Sequence, residues 1–105
     1  MQNPIKLILN LVFAVILEES RFDPNAISSS NANGLMQIIP DTGKYIAKQL
    51  AIKKFSVENL FDPETNIKLG SWYLSSLINS FNNRVKDYFS NKNSDRQNLD
   101  YADIA

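Results

Sequence analysis

Residues 16–37 hold the side chains that could do chemistry: Glu18, Glu19 and Ser20, then a turn at Asp23-Pro24-Asn25, a stretch of Asn, Ser and Ala, and Gly34-Leu35-Met36-Gln37. An apolar run from Leu7 to Leu17 leads straight into the two carboxylates. A helix ending in an acid and faced by a polar loop suits proton transfer. The composition narrows the alternatives. With no histidine and no cysteine, the 105-residue chain has no His-based triad, no thiol nucleophile, no disulfide and no His- or Cys-ligated metal site. Eleven basic residues balance eleven acidic ones, so nothing favours binding to a nucleic-acid backbone. Carboxylates, hydroxyls, amides, Lys, Arg and Tyr remain.

These side chains need elements to hold them, and one domain is all that the length allows. Pro4 suits the first turn of a helix. Ile8, Leu11, Val12, Val15 and Glu19 recur at three- and four-residue spacings, which predicts one buried stripe ending at Glu19. The density of apolar residues predicts burial on more than one side. Glu18 lies about 100° around the helix from Glu19. Asp23-Pro24 is expected to stop this helix. Lys6 and the apolar run have the outline of a secretion signal, but no Ala-x-Ala pattern follows, so a core helix is the expectation. The run is also too short to span a bilayer.

Residues 25–33 read as a loop by composition, and Gly34 permits a special backbone conformation or a close approach. Pro40-Asp41-Thr42 opens a helix expected to reach about Leu50, with Tyr45, Ile46 and Leu50 on its apolar face. A short turn or helix is expected around Ser56–Leu60. Asp62-Pro63-Glu64 is a strong helix start, combining a cap, a first-turn proline and an acid. That helix is expected to end near Phe81. Gly70 inside it implies close packing, since glycine costs about 1 kcal/mol there. Beyond Asn82 the chain turns polar; a weak helix is open around Val85–Phe89, and the rest of the tail is expected to be weakly ordered.

Three motifs in order resemble the catalytic domain of the soluble lytic transglycosylase family. They are Glu19-Ser20 with Phe22 and Pro24; Gly34-Leu35-Met36-Gln37 with Pro40 and Thr42; and Asn66-Ile67 with Gly70, Tyr73 and Leu74, after Asp62-Pro63. The match covers roughly residues 11–81. The resemblance implies a mainly α, lysozyme-like fold of the goose-type kind, with its C-terminal part incomplete. It divides the chain into a catalytic domain over 1–83 and a polar tail over 84–105.

The resemblance also implies the chemistry. Glu19 is the single acid/base, burial against Val15 and Leu35 or Met36 keeps it protonated, and Ser20 orients the acid or the substrate. Gly34, Met36 and Gln37 line a glycan cleft, with Gln37 bonding an N-acetyl sugar. The Asn66-containing helix supports that cleft, and Tyr73 on it is a candidate for binding or orienting the substrate. Glu19 protonates the departing glycosidic oxygen. It then takes a proton from the muramic acid 6-hydroxyl as this attacks the anomeric carbon, closing a 1,6-anhydro ring. No cofactor is implied. The implied partner is the peptidoglycan glycan strand, met by a monomer in the cell envelope. The chain departs from the family where an Ala-Tyr-Asn-Ala-Gly segment is expected, its Tyr reaching the catalytic Glu. Arg84–Lys92 stands there instead, with Tyr88 as the nearest phenol and the candidate substitute for that Tyr. Both ends read as cut or replaced.

Blander readings stand beside these. Glu19 could be a solvated helix-end acid and Glu18 its solvated neighbour. Ser20 could cap a turn, Gln37 could satisfy loop backbone groups, and Leu35 with Met36 could be core. Asn66 and Gly70 could be purely structural, and Trp72 and Tyr73 could pack between helices rather than stack on sugars. Two other functions also remain: a lysozyme-type hydrolase, which needs a second acid from Asp23, Asp41, Asp62 or Glu64, and a non-catalytic or degenerate glycan-binding fragment.

Overall fold

The computed structural model describes residues 3–95. They form three α-helices and one 3-10 helix and, among the described residues, no strand. The chain divides into two compact units, the first ending at Ser75 and the second beginning at Ser76.

Helix α1 spans Pro4–Ser20. Asn3 caps it, its Oδ1 accepting from the Ile5 N–H at 2.8 Å, and Pro4 fills the first turn. Its buried row is Val12, Ile16 and Ser20, with Ile8 and Val15 half-buried beside it. This corrects the expected stripe, because Leu11 and Glu19 are exposed. A row that steps by four residues drifts about 40° per step. The packed face therefore reaches Ser20, and Glu19 lies about 100° around from it. Burial on more than one side is not found either. Leu9, Phe13 and Leu17 are 59%, 64% and 56% exposed.

The helix stops earlier than Pro24 requires. Arg21 turns left-handed at φ 52° and gives its N–H to the Leu17 carbonyl at 3.2 Å, and Phe22 follows at φ 65°. The Phe22 ring rests on Phe13, 5.6 Å between centroids. Asp23 then closes an Asx turn on the Asn25 N–H at 2.9 Å.

The polar stretch that follows is bonded to itself. Ser28 Oγ accepts from the Ala32 and Ser30 N–H groups at 3.0 and 3.2 Å. Asn33 and Ile38 exchange both backbone bonds, at 2.9 and 3.0 Å, closing a tight turn over Gly34–Gln37. Helix α2, Pro40–Gln49, buries Gly43, Ile46 and Ala47. It ends with Ile52 N–H on the Ala47 carbonyl at 2.9 Å and Ala51 N–H on Lys48 at 3.1 Å, the paired bonds of a Schellman cap. The 3-10 helix Val57–Phe61 buries Leu60 completely.

Helix α3 runs from Pro63 to Asp95. Asp62 Oδ2 caps it, accepting from the Thr65 N–H at 3.0 Å and the Thr65 hydroxyl at 2.8 Å. Its first part joins one core with the other elements of the first unit: Val12, Ile16, Leu35, Met36, Ile38, Ile46, Leu60 and Leu69. The end expected near Phe81 is not observed. No glycine or proline follows Gly70, so nothing in the backbone breaks the helix. The stretch over 84–95, where only a weak helix around Val85–Phe89 was open, is helical throughout, and the remainder of the expected tail lies outside the described residues. Within the second unit Tyr88 and Phe89 meet edge-on at 5.3 Å, and Lys92 Nζ sits 5.5 Å from the Tyr88 ring centre.

Candidate functional site

Glu19 is the penultimate residue of α1 and is exposed. The apolar enclosure expected from Val15 and Leu35 or Met36 is therefore absent. Both Leu35 and Met36 are 7% exposed and face the core instead. Ser20 is buried, and its hydroxyl donates to the Ile16 carbonyl at 3.1 Å. That bond within the helix commits the Ser20 proton to α1 itself, a back-bond to the preceding turn of the helix.

The second motif is one closed turn. Gly34 sits at φ 78°, and its N–H reaches the Ala26 carbonyl at 2.9 Å. A Cβ at Gly34 would overlap the Leu60 carbonyl oxygen and Asn66 Nδ2. Glycine is thus required twice here, for its left-handed backbone and for the closeness of its neighbours. Gln37, at φ 54°, is half-buried. Its Nε2 donates to the Ala26 carbonyl at 3.1 Å and the Gly34 carbonyl at 2.9 Å. Both amide protons hold the loop, and Oε1 is the atom of this side chain open to a ligand's donor.

The third motif backs this turn. Asn66 is fully buried. Its Oδ1 accepts from the Met36 N–H at 2.8 Å, and its Nδ2 donates to the carbonyls of Asn33 at 3.0 Å and Leu60 at 2.8 Å. One turn further along α3, Gly70 leaves room for the Met36 side chain, whose Sδ, Cβ and Cε stand where a Cβ would go. Tyr73 and Trp72 are half-buried against the core, and Trp72 lies 6.4 Å from the Tyr45 ring.

The structure thus gathers Gly34, Met36 and Gln37 against Asn66 and Gly70. It sets them on the core that also holds Ile16, one turn before Ser20. Tyr88 belongs to the second unit. Sequence reasoning passed over Asn33, which is 2% exposed and whose backbone bonds both Ile38 and Asn66. An Asn directly before a turn glycine was its only local signal. Among the described residues no group of three or more acidic side chains is placed to hold a metal ion. No helix among them is long and apolar enough to cross a membrane.

Known proteins are similar to this chain in sequence and fold. The family model described as the Transglycosylase SLT domain matches residues 5–99. The soluble lytic murein transglycosylase of Escherichia coli K12 is 40% identical over 74 residues, covering 69% of this chain and 12% of that protein. Membrane-bound lytic murein transglycosylase C of Serratia proteamaculans is 42% identical over 74 residues, covering 69% of this chain and 21% of that protein. A solved structure of an inactive mutant of the lytic transglycosylase Slt from Pseudomonas aeruginosa superposes with a TM-score of 0.64 at 38% identity, over 68% of this chain and 12% of that one. The chain spans about an eighth of the soluble relatives and a fifth of the membrane-bound one. On the match over residues 5–99, this chain belongs to the SLT transglycosylase domain family.

Proposed function

We propose that the chain acts on peptidoglycan as a lytic transglycosylase, with Glu19 as its one acid/base. The observation that carries this reading is the shared core beneath the end of α1 and the Gly34–Gln37 turn, which supports an acid and a polar turn on one scaffold. Relatives named as lytic murein transglycosylases support it, as does a solved relative described as inactive through a single Glu-to-Gln mutation. The peptidoglycan glycan strand is the substrate, and it places the protein's work in the cell envelope.

In this reading Glu19 donates its proton to the glycosidic oxygen as the bond to the muramic acid anomeric carbon breaks. The carboxylate then accepts the proton of that sugar's 6-hydroxyl, whose oxygen bonds to the anomeric carbon. The products are a free hydroxyl on one glycan and a 1,6-anhydro ring on the other, with no water consumed. Because Glu19 is exposed in the free chain, the glycan itself excludes water around it when bound. Gln37 Oε1 accepts from the substrate, the acetamido N–H being the matching donor.

A hydrolase would need a second free carboxylate. Asp62 is committed to capping α3 and Asp23 to its turn, which weighs against that use. A glycan-binding domain without activity is favoured by one observation, the exposure of Glu19. Mass spectrometry of soluble products from bacterial sacculi separates the readings. Ends carrying 1,6-anhydromuramic acid are expected. Reducing ends heavier by one water would establish a hydrolase. Absence of products from folded protein that still binds sacculi would leave the binding reading.

A further inference from the structure

We infer that Asn66 is a positioning residue for the proposed site, acting through the Gly34–Gln37 turn without touching substrate; the inference rests on the reading of that turn as glycan-facing. Its amide has both protons and one lone pair engaged, on three backbone groups drawn from two other segments. Rotating the amide by half a turn would set its NH2 against the Met36 N–H and its oxygen against two carbonyls, so the orientation is unique. Two of the three partners, Asn33 and Met36, flank Gly34. A fully buried amide in this position leaves orphaned groups on all sides if it is removed.

The clamp is reinforced from both sides. At Gly34 the absent Cβ lets the turn lie directly on Asn66 Nδ2 and the Leu60 carbonyl. At Gly70 the absent Cβ seats the Met36 side chain on α3. Met36 is thus held at its N–H by Asn66 and at its sulfur by the surface of Gly70. Gln37 follows immediately, its Nε2 anchored on the Gly34 carbonyl within the same turn. The placement of Gln37, the residue after Met36, is therefore set in part by a residue of α3 packed against the turn. General packing cannot supply this. Apolar contacts fix the distance between α3 and the turn, whereas three directional bonds also fix its register and tilt.

The test compares Asn66→Ala with Ile46→Ala in the full chain. Ile46 is a fully buried α2 residue outside the clamp and reports the effect of lost stability alone. Both are assayed on sacculi at a temperature where thermal melts show each fully folded, and hydrogen exchange of the Met36 and Gln37 amides is followed in parallel. Asn66→Ala is expected to lower kcat at least about tenfold, since small misplacements of a positioned group carry penalties of that size. Its Met36 amide should exchange at least about tenfold faster, having lost its acceptor. Ile46→Ala should keep kcat within about twofold and leave those amides protected. Equal kcat values for the two variants, or a Met36 amide still protected without Asn66, would overturn the assignment.

If Asn66→Ala does not fold, Asn66→Ser replaces it, a small neutral group that cannot span the three backbone partners. It should still lower kcat and speed Met36 amide exchange, and an unchanged kcat would refute the role. Should the wild-type chain cleave nothing, the proposed function fails separately. The inference is then decided by chitotetraose binding, expected to weaken about tenfold in Asn66→Ala against Ile46→Ala, and by the same amide exchange.

Discussion

Replacing Gly34 with alanine tests the closed turn most directly. The cost has two sources. Alanine at φ 78° adds about 1 kcal/mol of backbone strain relative to glycine. The new methyl group also needs space held by the Leu60 carbonyl oxygen and Asn66 Nδ2, which bond each other at 2.8 Å. One of these is backbone and the other is pinned by two carbonyls, so the turn itself must lift. Lifting stretches the bond from the Met36 N–H to Asn66 Oδ1 and the bond from Asn66 Nδ2 to Asn33. Each buried hydrogen bond lost costs about 1 to 2 kcal/mol once its orphaned partner is included. The expected destabilisation is therefore about 3–5 kcal/mol, against a total of about 5–15 kcal/mol for a domain of this size. Urea unfolding followed by far-ultraviolet circular dichroism reads it. Gly43→Ala is the control. There a Cβ would meet only the side-chain tips of Leu60 and Phe55, at 3.3 Å, and helix propensity favours alanine by about 1 kcal/mol. That variant should stay within about 1 kcal/mol of the parent. If Gly34→Ala did the same, the turn would not be closed on Leu60 and Asn66, and the argument built on it would fall.

Other outcomes follow from single residues. Glu19→Gln should abolish release of anhydromuropeptides from sacculi while shifting stability by less than about 0.5 kcal/mol, because the side chain is exposed; persisting cleavage would remove Glu19 from the mechanism. Ala51→Gly should stabilise the fold by about 1 kcal/mol and raise Tm by about 4 °C, since Ala51 holds φ 55° where a Schellman cap favours glycine. A lower Tm would contradict that geometry. The Thr65 N–H and then the Thr65 hydroxyl hold the Asp62 carboxyl below its ordinary value of 3.8. Because the native value is depressed, the stabilisation is complete above about pH 4 and is lost as pH falls through the native value. Asp62→Asn should flatten stability across that acid range, as thermal melts at stepped pH would show.

Much of the scaffold was legible because its signals are local. Pro4, Pro40 and Pro63 each open a helix, and Asp62 caps α3, since capping depends on residues within one turn. The 3-10 helix falls where a short turn or helix was expected, and the Asn59 side chain accepting from the Ser56 N–H closes its start, a detail the sequence reading did not include. The length of α3 was less legible. Polar composition after Asn82 suggested lost order, although no glycine or proline interrupts the helix before Asp95. Side-chain polarity says whether a helix is buried, and backbone-breaking residues say where it ends. At the candidate site, Glu19, Ser20 and Gly34–Gln37 were readable as a motif. That the Gln37 amide would bond loop carbonyls stood as one of two open readings, because the Ala26 carbonyl becomes its neighbour only through the loop; the return of the Ser20 hydroxyl to the Ile16 carbonyl within α1 was not read.

By itself the sequence determined which chemistry was available, where the helices begin and to which family the motifs point. Residue type and short-range spacing carry all three. Tertiary structure alone decided which face of α1 is packed, and with it that Ser20 lies inside and Glu19 outside. An alternative stripe of equally apolar residues was present, and only contact with the core selects between them. Tertiary structure also decided that Asn66, Asn33, Met36 and Leu60 would share one hydrogen-bonded joint across more than thirty residues of chain. Such a joint has no local signature, since each partner is an ordinary backbone group until folding removes the water that would otherwise bind it.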